Sequence, residues 1–326
     1  MMRVLVTGSG GMVGSHLVEI LQDEGHQVLG TYYRPTVDLH ELNKNITLEE
    51  MDVRYYQGVQ RVLQGFVPDV IYHLAAQSYP TVSWLQPQAT IETNITGTVN
   101  IFEGIKSIRV YKPDYDPMVV VACSSAEYGQ TLEELAAAGK PYVKENAELK
   151  PLHPYGVSKV GQDLLALQYY LNDKIRCIRV RIFNSTGTRK VNDVTSDFTK
   201  RAVLAEMEGT FKINVGNLST RRAILDQRDL IRGLRLLAQK GKCGDVYNLC
   251  SEKVYEMREI ISMIEDELGH DLQCIVDKSL LRPTDEKIIV GDISKLKQDT
   301  GWQQEISMSQ TVKDMIAYWR KHVKNS

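Results

Sequence analysis

Arg3-Val4-Leu5-Val6-Thr7-Gly8-Ser9-Gly10-Gly11-Met12-Val13-Gly14 runs an apolar segment straight into glycines at 8, 11 and 14. The run Val4-Leu5-Val6 reads as a buried strand, and the amphipathic residues 13–24 read as a helix. A Gly-rich turn can exist without a ligand, but strand, loop and helix in this order favour a dinucleotide site. Gly8 permits the tight turn, Gly11 lets the backbone approach a pyrophosphate, and Gly14 allows close helix–strand packing. The helix start, at Met12 and Val13, offers free N–H groups and the positive end of the dipole.

Outward from that loop, apolar runs alternate with amphipathic segments. Candidate strands are 3–7, 27–32, 46–52, 69–74, 118–123 and 176–183, and candidate helices are 13–24, 55–65, 88–108 and 155–171. Strands separated by helices predict an α/β fold with a doubly wound parallel Rossmann sheet. After Phe183 the regularity breaks. A loop (184–194), a helix (196–208), a short strand (211–215) and a helix (229–239) lead to a strand at 245–250 that rejoins the sheet. Helices near 257–268 and 309–322 follow. The expected division is a dinucleotide-binding domain of residues 1–183, its sheet completed by 223–251. A smaller, discontinuous C-terminal substrate-binding lobe would come from 184–222 and 252–326.

The 326 residues are 43% apolar and 25% charged, with net charge −2, ordinary for a globular protein. Without a long basic run, neither nucleic acid nor an anionic membrane is expected as the main partner. The five cysteines (Cys123, Cys177, Cys243, Cys250 and Cys274) form no C-x-x-C pair. That fits a reducing compartment and suggests neither a disulfide framework nor a metal site. With no signal-peptide pattern and no transmembrane-length run, a cytoplasmic protein is expected.

The second strand, Val28-Leu-Gly-Thr-Tyr-Tyr-Arg34, meets no acid until Asp38. NAD sites place an acid there for the ribose 2′-OH. Arg34 suits a 2′-phosphate instead, although it also reads as a solvated loop arginine. NADP(H) is the expected cofactor.

Tyr155 and Lys159 sit four apart on a candidate helix and share a face. A phenol needs roughly 4 kcal/mol to lower its pKa by about three units. A nearby ammonium and a positively charged nicotinamide supply that. Sixteen tyrosines make about one such spacing expected by chance. Tyr170 and Lys174 also match, but at a helix end that reads as packing. Ser124 and Ser125 end a candidate strand on the same sheet edge, where a hydroxyl can hold a reacting oxygen or merely cap a turn.

Together these residues resemble the extended short-chain dehydrogenase/reductase family, in particular its nucleotide-sugar-modifying members. The resemblance rests on 7–14, Asp52-Val53, His73-Leu-Ala-Ala-Gln-Ser78, Ser124-Ser-Ala-Glu-Tyr-Gly129 and 155–159. It implies that Leu74, Ala75 and Ala76 lie along the cofactor, that Asp52 and Val53 meet adenine, and that Ser124 is catalytic with Tyr155 and Lys159. Arg181-Ile-Phe-Asn184, Val215-Gly-Asn-Leu218 with Arg222, Gly244-Asp-Val-Tyr-Asn248, Leu281-Arg-Pro-Thr284 and Gly301-Trp302 resemble the branch holding GDP-mannose 4,6-dehydratases and GDP-4-keto-6-deoxy-mannose reductases. The resemblance implies substrate contacts from Ser78, Ser125, Asn184, Val215, Arg222 and Arg282, arginine suiting a diphosphate by its planar fork.

Dehydratases of this branch carry Glu two residues after the catalytic Ser or Thr. Here that place is Ala126, with Glu127 one step on. Thr188-Arg189-Lys190 resembles a dehydratase loop reaching a neighbouring subunit's cofactor, and Ala223 stands where an Asp commonly follows the Arg. The expected activity is NADPH-dependent reduction of a GDP-4-keto-6-deoxy-hexose. A GDP-mannose 4,6-dehydratase, or a non-catalytic NADP-binding regulator, stands as the alternative. The resemblance implies a homodimer or homotetramer built on the Tyr155 helix, for which Leu164, Leu165, Leu167 and Leu171 supply apolar surface.

Overall fold

The computed structural model describes residues 1–280 and 287–323. Within them, β1 (Arg3–Thr7), β2 (Gln27–Tyr32), β3 (Thr47–Glu50), β4 (Val70–His73), β5 (Met118–Ser124), β6 (Cys177–Ile182) and β7 (Val246–Leu249) form a seven-stranded sheet. Its order is β7-β6-β5-β4-β1-β2-β3, and every pairing is parallel. This is the doubly wound arrangement, reversing direction at β1, so the crevice lies outside the C-terminal ends of β1 and β4.

Alternation along the strands supplies both faces. Val4, Val6 and Val120 pack with Leu17, Val18 and Leu21 of α1 (Met12–Asp23). Leu5, Val119 and Val121 turn the other way, onto α2 (Tyr56–Phe66), α3 (Gly97–Arg109) and α4 (Pro154–Asp173). Fully burying one such side chain is worth about 1.5–3 kcal/mol, so a one-residue slip in any strand is strongly disfavoured.

Residues 88–108 do not form one regular helix. Pro87–Ile91 is followed by a wider π turn, Glu92–Thr96, before α3 begins. Two local features coincide there. Gly97 faces Val53, whose Cγ2 lies 2.7 Å from where a Cβ would stand, and the side chain of buried Asn94 reaches Gln77 and Ser158. Single π turns recur at functional sites.

A separate core holds α5 (Val194–Met207), α7 (Met257–Leu268) and α8 (Met308–His322) through Phe198, Val203, Ile260, Ile264, Val312 and Trp319. Between these, α6 (Gln227–Lys240) packs on the sheet with Leu230, Leu234 and Leu237. Val290, Ile293, Leu296 and Trp302 also join the sheet's core, beside Tyr247 and Leu249 of β7.

Candidate active site

The glycine loop is shaped from both sides. Gly8 has φ +77°, and a Cβ on it would lie 2.7 Å from Ala75 N, so the loop after β4 presses directly on it. A Cβ on Gly14 would stand 2.2 Å from Gly8 O. Gly11 differs, because its nearest neighbour would be Gly8 O at 3.5 Å. No protein atom requires a glycine there. It is the N-cap of α1 without a side-chain cap, so its bare face and the first N–H groups of Met12, Val13 and Gly14 make a cradle that a Cβ would fill. This fits a pyrophosphate. Thr7 Oγ1 hydrogen-bonds Ala75 N (3.2 Å) and His73 Nδ1 (2.9 Å), which fixes the Leu74-Ala75-Ala76 segment beside the loop. Burial pushes His73 down to about 3, so it is a neutral structural group.

At the end of β2, Arg34 adopts φ 47° and is exposed, with its guanidinium 5.2 Å from the Tyr33 ring. Arg54 lies 5.6 Å from the same ring and grips Asp52 through Nε at 3.0 Å and Nη2 at 2.6 Å. Asp52 is thus an anchor for Arg54, while Val53 is buried against Gly97. The sequence motifs pass over Arg54, although Asp-x-Arg spacing after a strand is its available signal.

The loop after β5 meets the start of α4 because residue 156 is glycine, where a Cβ would lie 2.6 Å from Ala126 O. His153 caps the helix, accepting from Gly156 N at 3.0 Å, and Pro154 begins it. Ser124, Tyr155 and Lys159 come together there, all buried. Lys159 Nζ donates to Ala122 O and to Gln162 Oε1, each at 2.7 Å. Burial lowers Lys159 to about 8. The packing of the protein's own groups works against the lowering that an ammonium and a nicotinamide together would favour. Burial pushes Tyr155 up to about 12, against the opposing hydrogen bond from Ser124, so this phenol holds its proton and suits an acid. Tyr170–Lys174 is packing: Tyr170 covers Gly244, and Lys174, with φ 53°, bonds its own Leu171 O.

The motifs also pass over Asn94. Its amide bonds Gln77 N (2.8 Å), Gln77 O (3.0 Å) and Ser158 Oγ (2.8 Å), joining the loop after β4 to the helix of Tyr155. Its sequence signal is an Asn inside an otherwise helical stretch, where Asn is disfavoured. Ala126 offers only a methyl. The Glu127 carboxylate turns into the interior, to Ser124 N at 2.8 Å and Arg181 Nε at 3.0 Å.

Of the substrate residues, Ser125 is half-buried beside Ser124, while Ser78 and Asn184 are exposed. Arg222 is buried in a short strand paired with Tyr255 and Ile289. Val215 needs correction: its side chain is fully buried in the lobe's core, so no side-chain contact with substrate is available. Arg282 and the Leu281–Thr284 motif lie outside the described residues. Arg189 folds back onto its own chain, to Glu19 at 2.7 Å and Glu41 at 3.5 Å.

A family model described as GDP-mannose 4,6 dehydratase matches residues 5–315. The chain belongs to this family. Within it, GDP-6-deoxy-D-mannose reductase of Pseudomonas aeruginosa is 26% identical, covering 99% of this chain and 98% of its own length. GDP-mannose 4,6-dehydratase of Vibrio cholerae is 25% identical, over 96% and 92%. The solved structure of RMD from Pseudomonas aeruginosa complexed with NADPH superposes with TM-score 0.81 at 25% identity, over 99% of this chain and 100% of that one. A UDP-glucose 4-epimerase from Thermotoga maritima shares the fold, with TM-score 0.87, 22% identity and coverage of 99% and 100%. This GDP-mannose dehydratase family member is an enzyme of the extended short-chain dehydrogenase/reductase type. Among the described residues, no helix is long and apolar enough to cross a membrane.

Proposed function

We propose that this enzyme reduces the 4-keto group of a GDP-4-keto-6-deoxy-hexose with NADPH. One observation carries the choice of reduction over dehydration. Position 126 is alanine, and the neighbouring Glu127 carboxylate is buried against Arg181. Eliminating water needs an acid/base at that loop, whereas reducing a ketone needs only one proton donor. The Pseudomonas aeruginosa reductase and the NADPH-complexed structure support the sugar and the cofactor.

NADPH, when bound, supplies the hydride that adds to the C4 carbonyl carbon. Gly11, Met12, Val13 and Gly14 would hold its pyrophosphate, Arg34 and Arg54 its 2′-phosphate, and Lys159 its ribose. Ser124 orients the carbonyl oxygen by hydrogen bonding, and Tyr155 Oη gives that oxygen its proton. An alkoxide is a stronger base than a phenolate, so the transfer runs downhill even from a phenol at about 12. Ketone, hydride and proton make the alcohol, and solvent restores the phenol.

The substrate lobe is drawn from 184–222 and the segments after 252, apart from the stretch around 290–302 that packs on the sheet's core, with Asn184 and Arg222 toward the nucleotide. The enzyme works in the cytoplasm as a homodimer or homotetramer. Leu164 and Leu171, 51% and 57% exposed on α4, with Val157 beside them, support an association face. The test supplies enzyme and NADPH with GDP-4-keto-6-deoxy-mannose and follows NADPH oxidation with product analysis. Formation of the 4-keto-6-deoxy sugar from GDP-mannose, with no reductant added, would sink the reading.

A further inference from the structure

Beneath Ser124 and Tyr155 lies a buried set of charges that the reduction itself does not use. Glu127, Asp163, Arg179 and Arg181 are all buried. Glu127 follows β5 in the short turn Ser125–Glu127, Asp163 is on α4, and both arginines are on β6. Arg181 Nε donates to Glu127 Oε2 and to Asp163 Oδ2, each at 3.0 Å. Its Nη1 donates to Tyr128 Oη (3.0 Å) and Glu145 O (2.9 Å). Arg179 Nη1 bonds Asp163 Oδ1 at 2.5 Å. One guanidinium therefore ties the serine loop to the helix that carries Tyr155.

We propose that Glu127 is a positioning residue, which sets Ser124 against Tyr155 by accepting the Ser124 backbone N–H while Arg181 holds it from below. The contact is 2.8 Å, and Ser124 Oγ in turn accepts from Ala126 N at 3.2 Å. Together they close a reciprocal cap around the serine. Stability alone does not account for the carboxylate, since apolar side chains of similar volume replace buried ion pairs at little cost. What an apolar group cannot supply is an acceptor at that amide. Burial and the charge of Asp163 push the Glu127 carboxyl well above the ordinary range. Either protonation state leaves an acceptor on Oε1. Cys123 and Tyr128 beside it in the chain, Tyr155, Lys159 and Asp163 on the helix, and Arg181 on β6 are the titratable and charged groups that interact with it. The proposal rests on the carbonyl-reduction reading for its activity assay.

Two conservative variants separate reach from charge. Glu127→Gln keeps an acceptor at full reach and removes the charge. Glu127→Asp keeps the carboxylate and withdraws it by one methylene. E127Q is expected to hold kcat within about threefold of wild type, and E127D to lose at least about tenfold in kcat with KM and NADPH affinity unchanged. In a Ser124→Ala background, E127D should cost nothing further, because it acts through that serine. Hydrogen exchange gives a readout without turnover: the Ser124 amide should exchange at least about tenfold faster in E127D and at the wild-type rate in E127Q. Wild-type kcat in E127D, equal impairment in both variants, additive losses with S124A, or an unchanged Ser124 amide in E127D each overturn the proposal. A wild-type enzyme that reduces no 4-keto sugar sinks the reaction reading instead, and amide exchange still decides the role of Glu127.

Discussion

Lys159 Nζ donates to the carbonyl oxygen of Ala122 at 2.7 Å, which secures the helix of Tyr155 to the strand that ends in Ser124. Because burial brings this ammonium down to about 8, activity and stability should respond to pH in opposite senses. kcat/KM should fall as pH rises through about 8, since Tyr155 at about 12 titrates too high to set that limb. Between about 8 and the ordinary 10.5, the unfolded chain holds a proton that the folded chain has lost, so stability should rise there. Lys159→Arg, which stays charged, should leave no inflection near 8 in the pH–rate profile.

Tyr155→Phe removes the proton donor and little else. A loss of about 10²–10⁴ in kcat is expected, with NADPH affinity within about twofold. Stopped-flow turnover beside fluorescence titration of NADPH checks both halves. Equal losses in binding and turnover would mean that the ring positions the cofactor instead.

Much of the fold and part of the site are legible in the sequence, for identifiable reasons. The parallel strands β1 and β5 are nearly continuous apolar runs and stand out, and glycines 8 and 14 belong to a motif whose spacing is local. Residues whose roles depend on distant partners are not legible. Arg54 matters because Asp52 and Tyr33 hold it, and Glu127 because Arg181 lies beneath it, 54 positions along the chain. Val215 misleads because its motif sits on a strand whose alternation turns that side chain inward. The phenol of Tyr155 is raised by burial, which spacing does not reveal: Lys159 Nζ lies 5.8 Å from its ring centre but gives its hydrogen bonds to Ala122 and Gln162.

Gly11 and Gly14 should separate ligand from fold. Gly11→Ala places its methyl 3.5 Å from the nearest protein atom, so Tm should stay while the Kd for NADPH rises about tenfold or more. Gly14→Ala drives a methyl to 2.2 Å from Gly8 O and should destabilise by about 3 kcal/mol. Calorimetry of both variants with and without NADPH tests the contrast, and a thermally weakened G11A with normal affinity would contradict it.

Arg34→Ala and Arg54→Ala should each weaken NADPH by about 1.5–3 kcal/mol, roughly ten- to a hundredfold in Kd, and leave NADH nearly untouched. Parallel titrations with the two nucleotides decide the point. Equal losses for both would place these arginines away from the 2′-phosphate.

His16 and His73 are held neutral by burial, at about 4 and about 3 against an ordinary 6.5. As pH falls below 6.5 the unfolded chain takes up protons that the folded chain refuses, so stability should drop by about 1.4 kcal/mol per pH unit for each histidine. The loss accumulates from 6.5 down through 4 and levels off below 3. Urea melts across that range should show the slope, and His16→Gln should halve it between pH 6.5 and 4, leaving the share of His73.

The wide turn at Glu92–Thr96 makes this part of the chain intolerant of length change. It holds one residue more than a regular helix would need. Excising one residue would let the ladder close as an ordinary α-helix with its flanking segments nearly in register, because five residues of the wide turn cover about the same rotation as four of an α-helix. Asn94 would leave Gln77 and Ser158, and the crevice would lose a wall without a single core side chain having been replaced. A substitution scan would overlook such a site, whereas a scan of single-residue deletions would find it at once.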